Sequence, residues 1–544
     1  MLSQTMMTEK PKGFLSGLLR LTYSNPLYNY TLMGRIPPRL LGTPPELLMG
    51  NAANGQSILA GLFTLQGTRY GFTSFRDLSE QSNEQWLAFL HSFRWLSDLR
   101  RVGSEDAHRY GQKLIAQWIE AYDKWDHFCW RPDILGARLA SWTSHFAFLS
   151  RGANKDFSNK ILVELGRQSR HLSRSVLQGV PGYPRVTALK GLIYVGVTLP
   201  NSDSYLVQGM EGLELEINRQ RYPDGGHISR NPKIQKDFLR DLLEIKSTLS
   251  TAHFCIPNWL NQSINSIAEM LQGMRLGDGE LARFNGGDNC ELEEIEALIS
   301  KAEIQKKAPS AYLHSGFHRL EAARTVLVMD VGTPPPLDAN RWGHAGALSF
   351  ELSVGKERLI VNCGATRFMG MSWHQALRST AAHSTVCVDG INSAELDELG
   401  GFKRIPANVI CSRRENGGRA IIEAKSDGYD EILNLIHRRI IMMSSNGSKI
   451  QGEDELEGPG GQRYVVRFHL HPNVQATLIQ HGKAALLKPR RGAGWKFAAN
   501  NQAILIEDSV YLDGSIRPRR SQQLTIPGEL FGRGASIKWS LTRD

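Results

Sequence analysis

The spacing of hydrophobic positions changes once along the chain and divides it into two kinds of structure. Between residues 83 and 274, apolar side chains recur every three or four positions, which is typical of helices that bury one face. Leu206, Met210 and Leu213, for example, fall on one such stripe. After residue 316 the period is two, which predicts strands with alternating faces.

The helical part predicts stacked antiparallel helix pairs, because one helix follows another with short connections. A solenoid and a closed ring both fit this pattern, and no repeat of fixed period is visible. After a helix that starts at Gln85 and two more near residues 110–119 and 134–142, the predicted helices are 159–178, 185–197, 204–221, 234–249 and 257–274.

The C-terminal part predicts a large antiparallel β-sandwich, because many strand-like segments follow one another with Asp-Gly, Asn-Gly and Gly-Pro turn signals between them. We therefore predict an α+β multidomain protein. Its domains are an N-terminal arm at 1–84, a helical (α/α) domain at 85–290 and a β-sandwich at 312–540.

The stretch from Arg341 to Gly390 contains three predicted strands with polar side chains at their ends. In the first, apolar Leu348 to Val354 alternate with two serines and a glutamate, so one face is apolar and the other polar. His344 precedes this strand, Asn362 ends the second and His383 precedes the third. A sheet that joins these ends would form a polar corner beside a buried core.

Composition limits the choice of compartment and partner. The 544 residues carry a formal net charge of +10, which suits a polyanionic partner or serves only solubility. The six cysteines have no zinc-like spacing, and no nucleic-acid-binding motif is evident. We see no signal peptide and no apolar run long enough for a transmembrane helix, so the sequence alone predicts a cytoplasmic protein or one exported by an unseen route.

Three groups of residues could carry chemistry. In the loop 222–232, Asp224-Gly-Gly makes a tight turn that would present His227 for proton transfer and Arg230 for a carboxylate. The alternative is that Asp224 caps the next helix and His227 is an ordinary turn residue. Arg170 and His171 share a basic helix face, which is more simply a solvated surface.

The third group is the polar corner. His344, Asn362 and His383 could hold a divalent metal ion, although a carboxylate ligand would be more usual. Hydrogen-bonding histidines at strand ends are the alternative. Further along, Arg467, His469 and His471 share one sheet face, which could be the basic wall of a groove but is more simply the solvent side of the strand.

From about residue 110 to 540 the chain resembles the heparinase II/III-like family of polysaccharide lyases. The resemblance rests on motifs that occur in family order, the block at 341–389 being the most specific: Trp130-Arg131-Pro132, Arg170-His171-Leu172, Asp224-Gly225-Gly226, His344 to Leu352, Asn362-Cys363-Gly364, His383-Ser384-Thr385 and Ile506 to Tyr511. It implies an (α/α) toroid followed by an antiparallel β-sandwich.

The resemblance also implies an activity, the β-elimination of an acidic polysaccharide that contains uronic acid. In this chemistry the sugar carboxylate is neutralised, a Tyr or His removes the C5 proton, and an acid protonates the departing O4. Arg170 and Arg230 would bind the carboxylate. His171 and His227 would transfer protons. One structural divalent metal would occupy the polar corner, and the cell envelope or periplasm would be the location.

The chain departs from the family pattern at several of these positions. The usual His-Gly-His-x-Asp is reduced to Trp342-Gly343-His344-Ala345-Gly346, the usual metal carboxylate stands as Asn362, and the expected catalytic Tyr stands as Ile234. A non-catalytic glycan-binding or envelope-assembly protein is therefore the alternative to a lyase. A glycoside hydrolase ranks last, because Asp224 is the only obvious candidate among the two carboxylates it needs.

Overall fold

The computed structural model describes residues 21–65, 67–78, 83–288, 290–304, 307–337, 339–366, 369–398, 400–416, 419–500, 502–514 and 517–544. The chain forms two compact units. The helical unit holds residues up to 219 together with 240–262, and the β unit holds 220–239 together with 263–544. Within the described ranges, no helix has the length and apolar character needed to cross a membrane.

The helices of the N-terminal half confirm the three-to-four-residue period. Each predicted helix after residue 159 is present within a few residues of its expected bounds. In chain order the helices are Pro26–Thr31, Ala52–Leu59, Glu84–Ser92, Leu96–Val102, Glu105–Tyr122, Pro132–Ser144, Phe146–Ser150, Lys155–Ser175, Tyr183–Thr198, Asp203–Gln220, Pro232–Thr251 and Asn258–Gly273. A hairpin of Leu62–Leu65 and Thr68–Gly71 lies between the second and third helices.

Two helices of the helical unit approach each other backbone to backbone. A Cβ built on Gly191 would lie 2.4 Å from the Cα of Gly136, so only glycines allow this contact. The core beside them is rich in tryptophan, and Trp118 and Trp142 pack edge to face with ring centroids 5.5 Å apart. This rigid core supports the long helix Lys155–Ser175, which carries Arg170 and His171.

The β unit consists mainly of two antiparallel sheets, as the period of two predicts. In spatial order the eight-stranded sheet contains Val409–Asn416, Arg419–Tyr429, Leu435–Met443, Lys449–Glu457, Ala535–Arg543, Trp495–Ala499, Ala484–Lys488 and Gln475–Ile479. The nine-stranded sheet contains Leu505–Tyr511, Arg519–Glu529, Arg463–Leu470, Glu357–Val361, Phe350–Val354, Thr325–Asp330, Phe317–Ala322 and Ala311–Tyr312, with Val386–Val388 paired to Arg463–Leu470. Outside the sheets lie a two-stranded ribbon, Glu395–Leu396 with Phe402–Arg404, and the helices Leu292–Ala302, Met371–Arg378 and Asp430–Leu433.

Apolar side chains from both sheets form one core, which contains a buried ion pair. Phe350 of one sheet stacks on Trp539 of the other with ring centroids 5.7 Å apart. Arg439 donates to both carboxylate oxygens of Asp454, at 2.6 and 3.1 Å, and both side chains are fully buried. The same guanidinium donates to the carbonyl oxygens of Leu348 and Ser384, at 2.8 and 2.7 Å. Arg439 therefore fixes the chain next to the polar corner.

Burial in the β unit is more complete than the alternating pattern indicates. Ser349, Glu351 and Ser353 form the polar face of the first predicted strand, and all three are buried. The expectation for His469 is wrong: its side chain is buried, with its ring nitrogens bonded to Ser509 Oγ and Ala381 O. Glu351 Oε1 accepts from the backbone N–H of Asn362 and Ser353 Oγ accepts from that of Gly277, whereas Ser349 Oγ has no hydrogen-bond partner among the described residues.

Candidate functional site

The structure separates the predicted site residues into three groups. Arg170 and His171 lie on the long helix of the helical unit. The loop residues His227 and Arg230 belong to the β unit, as does the polar corner of His344, Asn362 and His383. Each group has a complete or nearly complete set of internal partners.

Arg170 is occupied by an N-terminal segment that packs on the long helix. We call residues 26–36 the docked segment. The guanidinium of Arg170 donates to the backbone carbonyls of Leu32 and Arg35, at 2.7 and 2.8 Å. A Cβ on Gly34 would lie 2.7 Å from the same guanidinium, so glycine permits this approach. Carboxylate binding by Arg170 stays a prediction, and it requires these two bonds to break.

His171 is sealed by the same segment. Its Nδ1 lies 2.7 Å from the Tyr28 hydroxyl, and the rings of Tyr23, Tyr28 and Trp130 surround it. Burial lowers the pKa of His171 to about 3, so the imidazole is neutral at physiological pH. Burial also raises the pKa of Tyr28 to about 12. The pair is arranged as a hydrogen bond inside a core, closed to any substrate.

The loop histidine has one nitrogen with a partner and one without. His227 Nδ1 accepts from the backbone N–H of Ser229 at 3.1 Å, so in the neutral ring the proton lies on Nε2. Nε2 is buried and has no hydrogen-bond partner among the described residues. Burial lowers the pKa of His227 to about 3. The void beside it, close to Met270 and Phe317, measures about 10 Å³, barely the room for one water molecule.

The other loop residues hold the polypeptide in place. Arg230 forms a buried ion pair with Asp330 and donates to the carbonyls of Ser315 and Thr333, at 2.7 and 2.8 Å. Asp224 does not cap the following helix, because its Oδ2 accepts from the backbone N–H groups of His314 and Ser315 at 2.8 Å. The role of helix cap belongs to Asn231, whose Oδ1 accepts from Lys233 N.

Asn285, which the sequence analysis does not single out, connects the loop with the polar corner. Its Nδ2 donates to the carbonyl of Arg230 and its Oδ1 accepts from the backbone N–H of His344, each at 3.3 Å. Asn285 has a φ of +49°, in the left-handed region that asparagine tolerates. The Asn285-Gly286-Gly287 sequence was the available signal for this turn.

In the polar corner the two histidines bond to each other. His383 Nδ1 donates to the carbonyl of Ser379 at 2.8 Å, so its Nε2 accepts from His344 Nδ1 at 3.0 Å. Burial lowers the pKa of His383 to about 4, and burial followed by the charge of His383 holds that of His344 well below its usual range. Asn362 uses both amide atoms, accepting from Ser384 N and donating to Arg283 O.

These residues do not fit a metal ion in this arrangement. The lone pair of His383 Nε2 and the oxygen of Asn362 are already engaged in hydrogen bonds. Across the described ranges, no three His, Cys, Asp or Glu side chains are grouped as metal ligands. A structural metal therefore stays a prediction, and it would require the histidine pair to separate.

The helical unit also contains an open groove beside the docked segment, with a volume of about 800 Å³. We call it the basic groove. It mixes aromatic, aliphatic and cationic side chains, and its lining is Tyr23, Ser24, Pro26, Asn29, Tyr30, Met33, Gly34, Arg35, Ile36, Asp123, Lys124, Trp125, Val163, Arg167 and Arg170. Sequence reasoning missed this groove, because two segments about 90 residues apart in the chain form its walls with the long helix.

Several solved lyases share the architecture of a helical unit followed by a two-sheet β unit. A heparinase III structure matches 96% of this chain and 91% of its own, with a TM-score of 0.75 and 13% identity. The heparan sulfate lyase of Pedobacter heparinus matches 95% and 87%, with a TM-score of 0.64 and 15% identity. The chondroitin AC lyase of Streptomyces coelicolor A3 matches 96% and 80%, with a TM-score of 0.58 and 11% identity.

The chain belongs to the heparinase II/III-like family. The Heparinase II/III N-terminus model matches residues 75–303, and the Heparinase II/III-like, C-terminal model matches residues 304–540. A curated relative, which is not named as a lyase, is the FtsZ-localized protein C of Caulobacter vibrioides. It is 28% identical over 534 residues, which cover 93% of this chain and 91% of the relative.

Proposed function

We propose that this chain is a non-catalytic member of its family that binds protein and associates with the division protein FtsZ. The single observation that carries this proposal is the docked segment. It places Tyr28 on His171 and two backbone carbonyls on Arg170, so side chains expected to meet a sugar meet the chain itself.

The chemistry of β-elimination supports the same conclusion. A catalytic base must lie within hydrogen-bond reach of the proton it removes, and its pKa should lie near the working pH. His171 and His227 are both buried, each with a pKa near 3. Ile234 stands where the family's catalytic tyrosine is expected, and it can neither accept nor donate a proton. A chain with these replacements keeps the scaffold without the reaction.

The similarity to an FtsZ-localized protein supports the protein-binding role, because it extends over nearly the whole length of both chains. With this role we propose that the chain occupies the same compartment as FtsZ, in place of the periplasm that the lyase resemblance implies. Of the alternatives to a lyase, this proposal corresponds to the envelope-assembly protein, with assembly taking place at the division site.

A lyase acting on an acidic glycan is the second candidate, and one observation favours it. The Tyr28 hydroxyl and His171 Nδ1 are 2.7 Å apart, and Tyr and His are the residue types that transfer protons in this reaction. For that candidate the docked segment has to leave the helix before a substrate carboxylate can reach Arg170.

Two measurements on the purified chain separate the candidates. The first is sedimentation with polymers of FtsZ from the same organism, and the second is ultraviolet absorbance of the unsaturated uronate product across a panel of acidic polysaccharides. We expect sedimentation with FtsZ and no absorbance, under conditions in which a known heparinase III gives product. Product formation that His171→Ala abolishes would establish the lyase instead, and absence of both signals would overturn the FtsZ proposal.

A further inference from the structure

The docked segment has two apolar faces, and only one of them is covered. Tyr28 and Leu32 point inward and are buried in the core of the helical unit. On the other side Tyr30, Met33 and Ile36 remain 66%, 63% and 54% exposed. Contiguous exposed apolar patches on a folded protein, particularly those rimmed by polar residues, mark interaction surfaces.

These three side chains line the basic groove together with Arg35 and Lys124, two cations to which the described residues supply no partner. Neither Arg35 nor Lys124 forms a side-chain hydrogen bond or ion pair with any residue in the described ranges. Asp123 is the single carboxylate among the lining residues. The groove therefore combines an apolar wall with unneutralised positive charge.

A polar acceptor in the groove is also unused. The side-chain oxygen of Asn29 is buried and lacks a hydrogen-bond partner among the described residues. Rotation of the Asn29 side chain toward the groove would let this oxygen accept from an N–H donor such as a peptide backbone. Arg167 and Arg170, by contrast, already donate to Asp123 O and to the docked segment.

We propose that the basic groove binds an acidic peptide segment that carries apolar side chains, supplied by a protein partner; this rests on the proposed function and names its surface. Apolar side chains of the segment pack on Met33 and Ile36, and its carboxylates pair with Arg35 and Lys124. A backbone N–H donates to Asn29 once that side chain rotates toward the groove. A polyanionic sugar fits less well, because it offers no aliphatic group for the exposed wall of Met33 and Ile36.

The test uses the full chain and a pair of charge-reversed variants. Arg35→Glu/Lys124→Glu reverses the charge of the groove, whereas Arg101→Glu/Lys113→Glu reverses two exposed helical-unit cations that do not line it. We expect the groove variant to bind FtsZ polymers at least about tenfold more weakly than wild type, and the matched variant to bind as wild type does. Circular dichroism checks that both variants are folded.

A second probe removes the dependence on FtsZ. It is a short fluorescein-labelled peptide of alternating glutamates and leucines, compared by anisotropy with a lysine–leucine counterpart. Wild type should bind the acidic peptide, and Arg35→Glu/Lys124→Glu should prefer the basic one. Replacing Met33 and Ile36 by serine should weaken the acidic peptide at least about fivefold, because a desolvated apolar anchor is lost.

The outcomes distinguish this inference from the proposed function. If wild type and the groove variant bind FtsZ equally, the groove assignment is wrong and the FtsZ association stands. If wild type does not bind FtsZ but binds the acidic peptide, and the groove variant prefers the basic peptide, the groove is the peptide-binding surface and the FtsZ proposal fails. If the acidic peptide binds the groove variant and wild type alike, the groove is not the binding surface.

Discussion

Replacing Arg439 by methionine tests how much a buried ion pair stabilises the β unit. Burial would raise the pKa of Asp454, but the charge of Arg439 and the hydrogen bond from His437 outweigh it and hold that pKa well below its usual range. Methionine fills much of the same space and leaves the Asp454 charge without its guanidinium. It also removes the donor to the carbonyls of Leu348 and Ser384.

The expected loss is about 3–5 kcal/mol, which is typical when one partner of a buried ion pair is removed. Arg438→Met is the matched control in the same strand. Arg438 bonds to Glu423 and Glu455 and is about one-fifth exposed, and its loss should cost about 0–1 kcal/mol because solvent screens such pairs.

Hydrogen exchange measured by mass spectrometry is the suitable assay, because a chain of two units need not unfold in one step. The strands Leu435–Met443 and Lys449–Glu457 should lose protection in Arg439→Met, while the helix Lys155–Ser175 keeps it. The double variant Arg439→Met/Asp454→Asn should recover part of the loss, because the uncompensated charge is gone. Equal effects of Arg439→Met and Arg438→Met, or strictly additive losses in the double variant, would refute the reasoning.

Three further predictions concern the candidate site. Tyr28→Phe should destabilise the docked segment by about 1–3 kcal/mol, read as faster exchange at residues 26–36, whereas Tyr30→Phe should leave exchange unchanged. The pKa of His171 is lowered in the folded state, so its contribution to the free energy of unfolding is complete above about pH 6.5 and falls by about 1.4 kcal/mol per pH unit toward pH 3. The urea midpoint should therefore be lower at pH 5 than at pH 7. Because His344 and His383 bond to each other, treatment with a chelator should leave the melting temperature unchanged, and a drop restored by zinc would show that a metal separates them.

Much of the fold could be predicted because the spacing of apolar residues within a segment indicates whether that segment forms a helix or a strand. The helix predicted at 185–197 is observed at Tyr183–Thr198, and its glycine and proline neighbours mark its ends. The helix Leu292–Ala302 was missed because its first turn lies in an acidic run that follows a cluster of glycines and aspartates. Its apolar stripe of Ile295, Leu298 and Ala302 is too short to stand out against that composition.

The site was less predictable because its contacts join distant parts of the chain. Tyr28 and His171 are 143 positions apart, and no periodic pattern links them. The sequence places Arg170 on a helix face correctly, but it cannot say that a segment before the helical domain covers that face. His227 was expected at a tight turn that presents it for proton transfer, whereas its side chain is buried in the β unit.

Because Arg170 holds the docked segment, we expect the arginine and the segment to be inherited together. Where the family tends to have asparagine, this chain has an arginine whose side chain reaches two peptide oxygens of that segment. A shorter amide would leave both oxygens without this donor. Sequence comparisons within the family should therefore find an arginine at this position together with a segment that covers it.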